Sequence, residues 1–398
     1  MRLVLAGVST RAMAESAAHA GFEVTAIDAF ADLDQHVAVR PLSLGDTFSP
    51  GSAARKAQTI SCDAVAYAAN FENHPHAVEV LAEGRALWGN SSEVLRRVRD
   101  PKWLSQMLRR HGLASPEVSE QPPEGRRRSP QSPVPSPQPP VPSPQRRWLL
   151  KRYASGGGHG VREWRNGMAI PPGSYFQELI DGAPSSIVFV ASDRRAVPIG
   201  FTRQLIGDEA FGSSGFRYCG NILTAVGEDD DILDAARAVI AAVCAEYGLV
   251  GVNGIDLVVK GGAPYAIEVN PRWCASMELV ERAYSVSVFG MHAAACRDGV
   301  LPDFDLWRAR GSARTTAKAV VFARGETTVG DTRPWLSHGG DRRDIPNPGT
   351  RLHAGQPVCT VFAEGRDSEE CRAELVRRAD LVYALIERRR ERDLPYLL

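Results

Sequence analysis

Three oxygen-bearing side chains in the stretch GVNGIDLVVKGGAPYAIEVNPR, residues 251–272, have the types and spacing for divalent-cation chemistry. Two β-type runs flank the turn Lys260-Gly261-Gly262 and read as a hairpin. Side chains alternate between the two faces of a strand, so Glu268 and Asn270 share a face. Asp256 stands on the partner strand. Where the register allows, it completes an all-oxygen set for Mg²⁺, which takes such ligands together with nucleotide phosphates and keeps some of its waters. Arg272 follows the Asn-Pro turn and can set a guanidinium beside a phosphoryl group or a developing oxyanion. The plainer reading of the same residues is the exposed polar face of an ordinary hairpin.

A second group is LLKRYASGGGHGVREW, residues 149–164. Lys151 ends an apolar run and offers a point charge to phosphates. In the loop Ser155, Gly156, Gly157, Gly158, His159, Gly160, the glycines let backbone N–H groups come close to phosphate oxygens. The Walker pattern GxxxxGK[ST] is absent, and a flexible hairpin tip would read the same way. His159 reads as a loop residue and not as a metal ligand. A third group, YFQELIDGAPSS at 175–186, is a strand running into a glycine turn. It can offer backbone groups to an adenine edge and polar side chains to a ribose.

These groups need a scaffold. RLVLAGV is a short apolar run suited to a buried parallel strand. Ser9 is placed to cap a helix from Arg11 to about His19, which Gly21 closes. FEVTAIDAF, ending its strand at Asp28, and DAVAYAA continue the alternation, which implies an α/β unit with a parallel sheet. A dinucleotide site with Asp28 on a ribose is the competing reading. The turn AGVSTRAMA lacks two of the three fingerprint glycines, which weighs against it. DDILDAARAVIAAVCAEYG has helical spacing and a glycine stop, and the tail beyond 301 mixes β-type runs with a final helix.

Residues 121–145 are a different material, QPPEGRRRSPQSPVPSPQPPVPSPQ. Such a composition cannot bury a core and is expected to be a disordered or polyproline-II insertion. Its PxxP patterns would suit an SH3-type reader, but a tolerated surface loop is the simpler expectation. Lysine plus arginine equals aspartate plus glutamate at 47 each, so the chain lacks the basic excess of a phosphate-neutralising nucleic-acid binder. No run approaches the ~18 apolar residues of a membrane span, and the N-terminus lacks the apolar core of a secretory signal. Seven scattered cysteines without CxxC pairs suit a reduced, cytoplasmic protein.

In this order the motifs resemble the ATP-grasp superfamily, which includes biotin carboxylase, carbamoyl-phosphate synthetase and D-alanine–D-alanine ligase. SSEVLRRVRDPKWLSQMLRRHGLASPE is similar to the family helix that begins after an Asp-Lys pair. The resemblance implies nucleotide contacts from Lys102, Lys151, Ser155 and Gly156–Gly158, and an adenine hinge at Gln177, Glu178 and Ile180. It implies Mg²⁺, with Mn²⁺ as a substitute, on Asp256, Glu268 and Asn270, and makes Arg272 and Lys151 the catalytic cations. Asp181, Ser185 and Ser186 stand where relatives hold the ribose. The implied fold is mixed α/β. A Rossmann-like domain (1–95) and connecting helix (96–120) precede the insertion (121–147). A small lid lobe (148–205), a large lobe with the metal hairpin (206–300) and a β-rich unit with a helix (301–398) follow. The implied activity is ADP-forming ligation of a small-molecule carboxylate to an amine through an acyl phosphate, and a homodimer is compatible with it. FENHP, LWGN and IPNPGTRLHAGQPVCTVFAEG most resemble a carboligase-like group tied to methanofuran and tetrahydromethanopterin, in which some members add glutamate. A bicarbonate-activating carboxylase and a non-catalytic nucleotide-binding scaffold are the alternatives. No nucleic acid or membrane partner is expected.

Overall fold

The computed structural model describes residues 1–123, 146–337 and 340–393. Nearly all of the proline-rich insertion lies outside these residues. No described helix is long and apolar enough to cross a membrane.

The N-terminal lobe alternates β1 (Arg2–Ala6), α1 (Arg11–His19), β2 (Glu23–Asp28), β3 (Val39–Ser43), α2 (Pro50–Gln58), β4 (Ala64–Tyr67), α3 (Pro75–Ala82) and β5 (Ala86–Trp88). The strands pair in parallel in the order β3-β2-β1-β4-β5. Leu3 and Leu5 enter one core with Met13 of α1; Val4 and Ala6 enter another with Ala53 of α2 and Val78 of α3. Burial on both faces is why these strands read as continuous apolar runs. Helix α1 spans the expected residues, but Thr10 is its N-cap and no side chain caps it. The strand order reverses between β1 and β4, where open α/β sheets gather ligand-binding loops at the strands' carboxyl ends. Gly7 lies there, and a Cβ on it would come within 2.7 Å of the Ala68 Cβ.

The expected connecting helix is two helices, α4 (Ser92–Val98) and α5 (Pro101–Arg110). A residue before proline is pushed out of the helical region, so α4 must stop before Asp100. Asp100 then caps α5, its Oδ1 accepting from Lys102 N at 2.9 Å and Trp103 N at 3.1 Å. Arg99 is left in the joint.

Strands β6 (Val118–Ser119), β7 (Trp148–Arg152), β8 (Arg162–Glu163) and β9 (Ser174–Glu178) make a small antiparallel sheet, ordered β6-β9-β7-β8. The lid lobe, expected to run to 205, ends here. β10 (Ala183–Ser192) and β11 (Arg195–Ile206) belong to a larger antiparallel sheet. Alternate residues of β10 enter two cores, Val188 and Val190 on one side and Ile187 and Phe189 on the other, so it needs a central position.

The remaining elements are β12 (Tyr218–Leu223), α6 (Asp230–Tyr247), β13 (Gly251–Lys260), β14 (Ala263–Asn270), α7 (Met277–Tyr284), α8 (Val288–Asp298), α9 (Leu306–Ser312), β15 (Thr315–Phe322), β16 (Thr327–Thr328), β17 (Arg342–Arg343), β18 (Arg351–Leu352), β19 (Pro357–Gly365) and α10 (Ser368–Asp393). Among the described residues the large sheet runs β14-β13-β10-β11-β12-β15-β19-β17. The tail is therefore not a unit set against the large lobe. β15 pairs with β12 from Gly220↔Ala319 to Leu223↔Thr316, β19 pairs with β15, and α10 covers them through Leu375, Ala379 and Val382.

Asn90, from the LWGN phrase, ties the N-terminal lobe to the large sheet. Its Nδ2 donates to Asn253 Oδ1 at 2.8 Å and Pro271 O at 3.1 Å, and its Oδ1 accepts from Val250 N at 2.9 Å. Buried amides left without partners are costly. Asn90→Ala should therefore lower the unfolding free energy by about 2–4 kcal/mol, read as a shift of the urea midpoint. A midpoint that does not move would show that these bonds contribute nothing net.

Candidate active site

The hairpin β13–β14 sets Asp256 directly opposite Glu268 and Gly254 opposite Asn270, with a bulge after Asp256. All three oxygen-bearing side chains line one cleft of about 560 Å³ between the small and large sheets. Asp256 Oδ1 accepts from Gln204 Nε2 and Oδ2 from Asn270 Nδ2, both at 2.9 Å. Burial, and then the facing Glu268, push the Asp256 carboxyl up to about 6. Burial would raise Glu268 too. Arg99 and Lys151 outweigh that and hold it below the usual carboxylate range.

Three cations surround the pair, Lys151 buried and Arg99 and Arg272 partly buried. Arg99 donates from Nη1 to Glu268 Oε1 and to Val269 O at 3.1 Å, and from Nη2 to Asn73 Oδ1 at 2.9 Å and Ser155 O at 3.2 Å. Lys151 is the penultimate residue of β7, and its Nζ donates to Gln177 Oε1 at 3.1 Å. Arg272 forms an ion pair with Glu72 at 2.8 Å and donates to Asn270 Oδ1 at 3.1 Å. Burial alone would lower all three; the Glu268 charge raises Arg99 and, after Tyr175, Lys151, and Glu72 does the same for Arg272. They stay charged.

The glycine loop docks on the approach to β12. Gly157 O accepts from Tyr218 N at 3.1 Å, and a Cβ on Gly158 (φ +74°) would fall 1.9 Å from Phe216 O. Ser155, Gly156, Gly157 and Gly158 line the cleft, as do Gln177, Glu178 and Ile180. Gln177 Nε2 donates to Ile267 O at 3.3 Å and joins the small sheet to the hairpin. The Glu178 carboxylate accepts from Glu117 N at 3.1 Å and pairs with Arg146 at 3.7 Å, which leaves its backbone for a base edge. Of the three ribose candidates, Asp181 and Ser186 line the cleft; Ser186 Oγ is bonded to Thr202 Oγ1 at 2.9 Å. His159 is exposed on the loop and does not line this cleft.

Lys102 is not brought to the cleft. Its side chain is 48% exposed on α5 and pairs with Glu120 at 3.7 Å. Arg99, three residues earlier, is the cation of this segment that pairs with Glu268; the resemblance gave Lys102 a contact with the nucleotide phosphates. The break at Asp100-Pro101 was the available signal, because it takes Arg99 off the helix. Glu72 and Asn73 were also missed as site residues. Both come from FENHP, on the loop after β4, and hold Arg272 and Arg99 respectively.

The residues fit Mg²⁺ and a polyphosphate. Two partly buried carboxylates face each other in the cleft, which is unfavourable without added positive charge. Asp256, Glu268 and the Asn270 amide oxygen are hard ligands. Among the described residues no three His, Cys, Asp or Glu side chains form a complete metal cage. Mg²⁺ fills the remainder of its shell with phosphate oxygens and water. Arg99, Lys151, Arg272 and the glycine-loop amides supply charge and donors for the phosphates.

Residues 103–276 match the family described as the ATP-grasp domain. The chain carries an ATP-grasp domain. Solved structures extend the likeness across the remaining lobes. The L-amino acid ligase from Bacillus licheniformis is 15% identical with a TM-score of 0.65, covering 95% of this chain and 96% of that one. N5-carboxyaminoimidazole ribonucleotide synthetase from Thermotoga maritima is 14% identical with a TM-score of 0.62, covering 95% and 98%. Biotin carboxylase from Campylobacter jejuni is 14% identical with a TM-score of 0.65, covering 93% and 89%. An uncharacterized protein of Methanocaldococcus jannaschii is 23% identical over 147 residues, 37% of this chain and 34% of that protein's length. These likenesses establish the fold, with the N-terminal lobe and the β15–α10 region on either side of the ATP-grasp domain.

The facing carboxylates make a pH prediction. Asp256 has a folded pKa raised from its unfolded value of about 3.9 to about 6. Protonated Asp256 therefore favours the metal-free fold, and this contribution is lost as pH rises through about 6. Without Mg²⁺, Asp256→Asn should melt above the wild type at about pH 8 and close to it at about pH 4. A variant that melts lower at both pH values would show that the carboxyl is not strained.

Proposed function

We propose that the protein is an ATP- and Mg²⁺-dependent, ADP-forming ligase that activates a small-molecule carboxylate as an acyl phosphate and passes the acyl group to an amine. The observation that carries this reading is the face of Asp256, Glu268 and Asn270 set beside Arg99, Lys151 and Arg272, with a glycine-rich loop lining the same cleft. No serine or cysteine nucleophile is needed, because the substrate carboxylate attacks the γ-phosphorus and ADP leaves. Mg²⁺ held by Asp256, Glu268 and Asn270 would supply neutralisation of the phosphate charge.

The chain's own groups have separate tasks. Lys151, Arg99 and the loop amides bind phosphate oxygens, and Arg272 stabilises charge on the phosphoryl group in transfer. Glu72 fixes Arg272, so the guanidinium is oriented before substrate arrives. The backbone at Glu178 to Ile180 receives the adenine edge and Asp181 the ribose hydroxyls. The loop Gly156–Gly160 keeps water from the acyl phosphate until the amine attacks its carbonyl carbon and releases phosphate. The L-amino acid ligase, similar over nearly the whole of both chains, supports ligation to an amine. Within that reading, the FENHP, LWGN and IPNPGTRLHAGQP phrases support glutamate addition in one-carbon cofactor assembly, as part of methanofuran or tetrahydromethanopterin synthesis.

Hydroxylamine is small enough to replace the natural amine. The correct acid with ATP, Mg²⁺ and hydroxylamine should give a hydroxamate and stoichiometric ADP without AMP, and glutamate is the first acid to test. Formation of AMP and pyrophosphate would instead indicate adenylate chemistry and defeat the proposal. Glu268→Gln should lower turnover by at least about 100-fold in a folded protein.

The assignment of cations has its own test. Arg99→Ala should cost at least about 100-fold in kcat/KM, whereas Lys102→Ala should stay within about three-fold. The reverse order of effects would return the phosphate role to Lys102.

A further inference from the structure

A second cavity, of about 200 Å³, lies at the seam between the N-terminal lobe and the β15–β19 strands. Ser9, Phe30, Asp32, Val320, Asp344 and Asn347 are among its walls, and it shares no lining residue with the nucleotide cleft. Its frame is built in. Leu33 N donates to Ile345 O at 2.8 Å, and Asn347 Nδ2 donates to Ala31 O at 3.1 Å.

Four carboxylates gather here, and three are satisfied. Asp28 accepts from Thr10 N and Oγ1 and from Phe30 N and Ala31 N. Asp34 accepts from Ile345 N at 2.8 Å and Asp344 N at 3.2 Å. Asp344 accepts from Arg11 Nε at 2.9 Å and from the Thr360 hydroxyl. Asp32 is different. It is 6% exposed, lines the cavity, and its Oδ2 has no hydrogen-bond partner among the described residues.

The nearby cations are committed elsewhere. Besides Asp344, Arg11 holds Glu15 at 3.0 Å and Glu278 at 2.5 Å, and Arg343 holds Glu15 at 3.2 Å. Burial first, then the charges of Asp344, Asp34 and Asp28, push Asp32 up to about 9 against the opposing effect of Arg11. A buried carboxyl without a partner is costly, and a donor carrying positive charge would relieve it. Phe30, Val320, Leu352 and Val358 supply apolar walls around this acid. A metal ion fits poorly: the neighbouring carboxylates are already bonded, and no three-ligand metal cluster occurs among the described residues.

We propose that this cavity is a second ligand site, which binds a small primary ammonium compound with its –NH₃⁺ on the Asp32 carboxylate and a short aliphatic body against Phe30, Val320 and Leu352. The site is distinct from the acyl-acceptor position in the nucleotide cleft and does not depend on the ligase reading. Near neutral pH the Asp32 proton must leave when the cation arrives, so binding releases a proton.

The test is isothermal titration calorimetry of the full chain at about pH 7.5 with n-pentylammonium chloride, repeated with 1-pentanol. The ammonium should bind one to one, at least about ten-fold more tightly than the alcohol. Asp32→Asn should weaken it by at least about ten-fold while leaving ATP turnover within about two-fold. Amine binding in the nucleotide cleft would survive that substitution. Paired titrations of the wild type in buffers of different ionisation enthalpy should show release of about one proton, a readout that needs no variant. Equal affinity for alcohol and ammonium, unchanged affinity in Asp32→Asn, or absence of proton release would each overturn the proposal.

Discussion

Two carboxylates face each other across neighbouring strands in the cleft between the small and large sheets. Asp256 and Glu268 are register partners, and both are partly buried. Such a pair is unstable alone, and much of the surrounding structure consists of groups that make it tolerable. Glu268 keeps its charge because Arg99 and Lys151 stand over it. Asp256 drifts toward protonation and is steadied by Gln204 and Asn270. A cleft poised in this way gains from a divalent cation more than an ordinary polar groove would, because the metal removes a repulsion already present.

The counter-charges come from different parts of the chain, so the floor also organises the fold. Lys151 belongs to the small sheet, Arg99 to the joint between two helices, and Arg272 to the turn after the hairpin. Each is held in turn. Gln177 holds Lys151, while Asn73 and Glu72, from the loop after β4, hold Arg99 and Arg272. The N-terminal lobe thus reaches the chemistry through FENHP without owning the metal face. Its strand order reverses beside that loop, where an open parallel sheet leaves room for inserted side chains.

The Arg11 cluster is the counterpart at the other seam. There a fully buried guanidinium, and not a hairpin, is the centre, and the acids come from α1, the loop after β2, α7 and the segment before β19. In the cleft every buried carboxylate has a cationic or amide neighbour. At this seam the acids outnumber the charges available to them, and the deficit falls on Asp32. The difference explains why one site suits phosphates with their metal and the other a cation.

Local signals were strong in parts of the sequence. The alternation along 251–272 and its Lys-Gly-Gly turn determined a hairpin with Glu268 and Asn270 on one face, since period-two alternation and turn chemistry act over a few residues. The apolar runs at 2–8 and 63–69 determined parallel strands, and Gly248 the end of α6, in the left-handed conformation that glycine favours (φ +64°). Other features depended on contacts between distant segments. Nothing near Thr315 says that β15 pairs with β12, because pairing of strands so far apart in sequence is set by the shared core and not by either strand. The placement of Lys102 and Arg99 is of the same kind: local sequence put a lysine on a helix, but the direction in which α4 and α5 leave their joint decided which cation meets Glu268. The Asp32 cavity exists only because residues 30–35 fold against 344–347, and the strength of a carboxyl depends on neighbours that only the tertiary structure supplies.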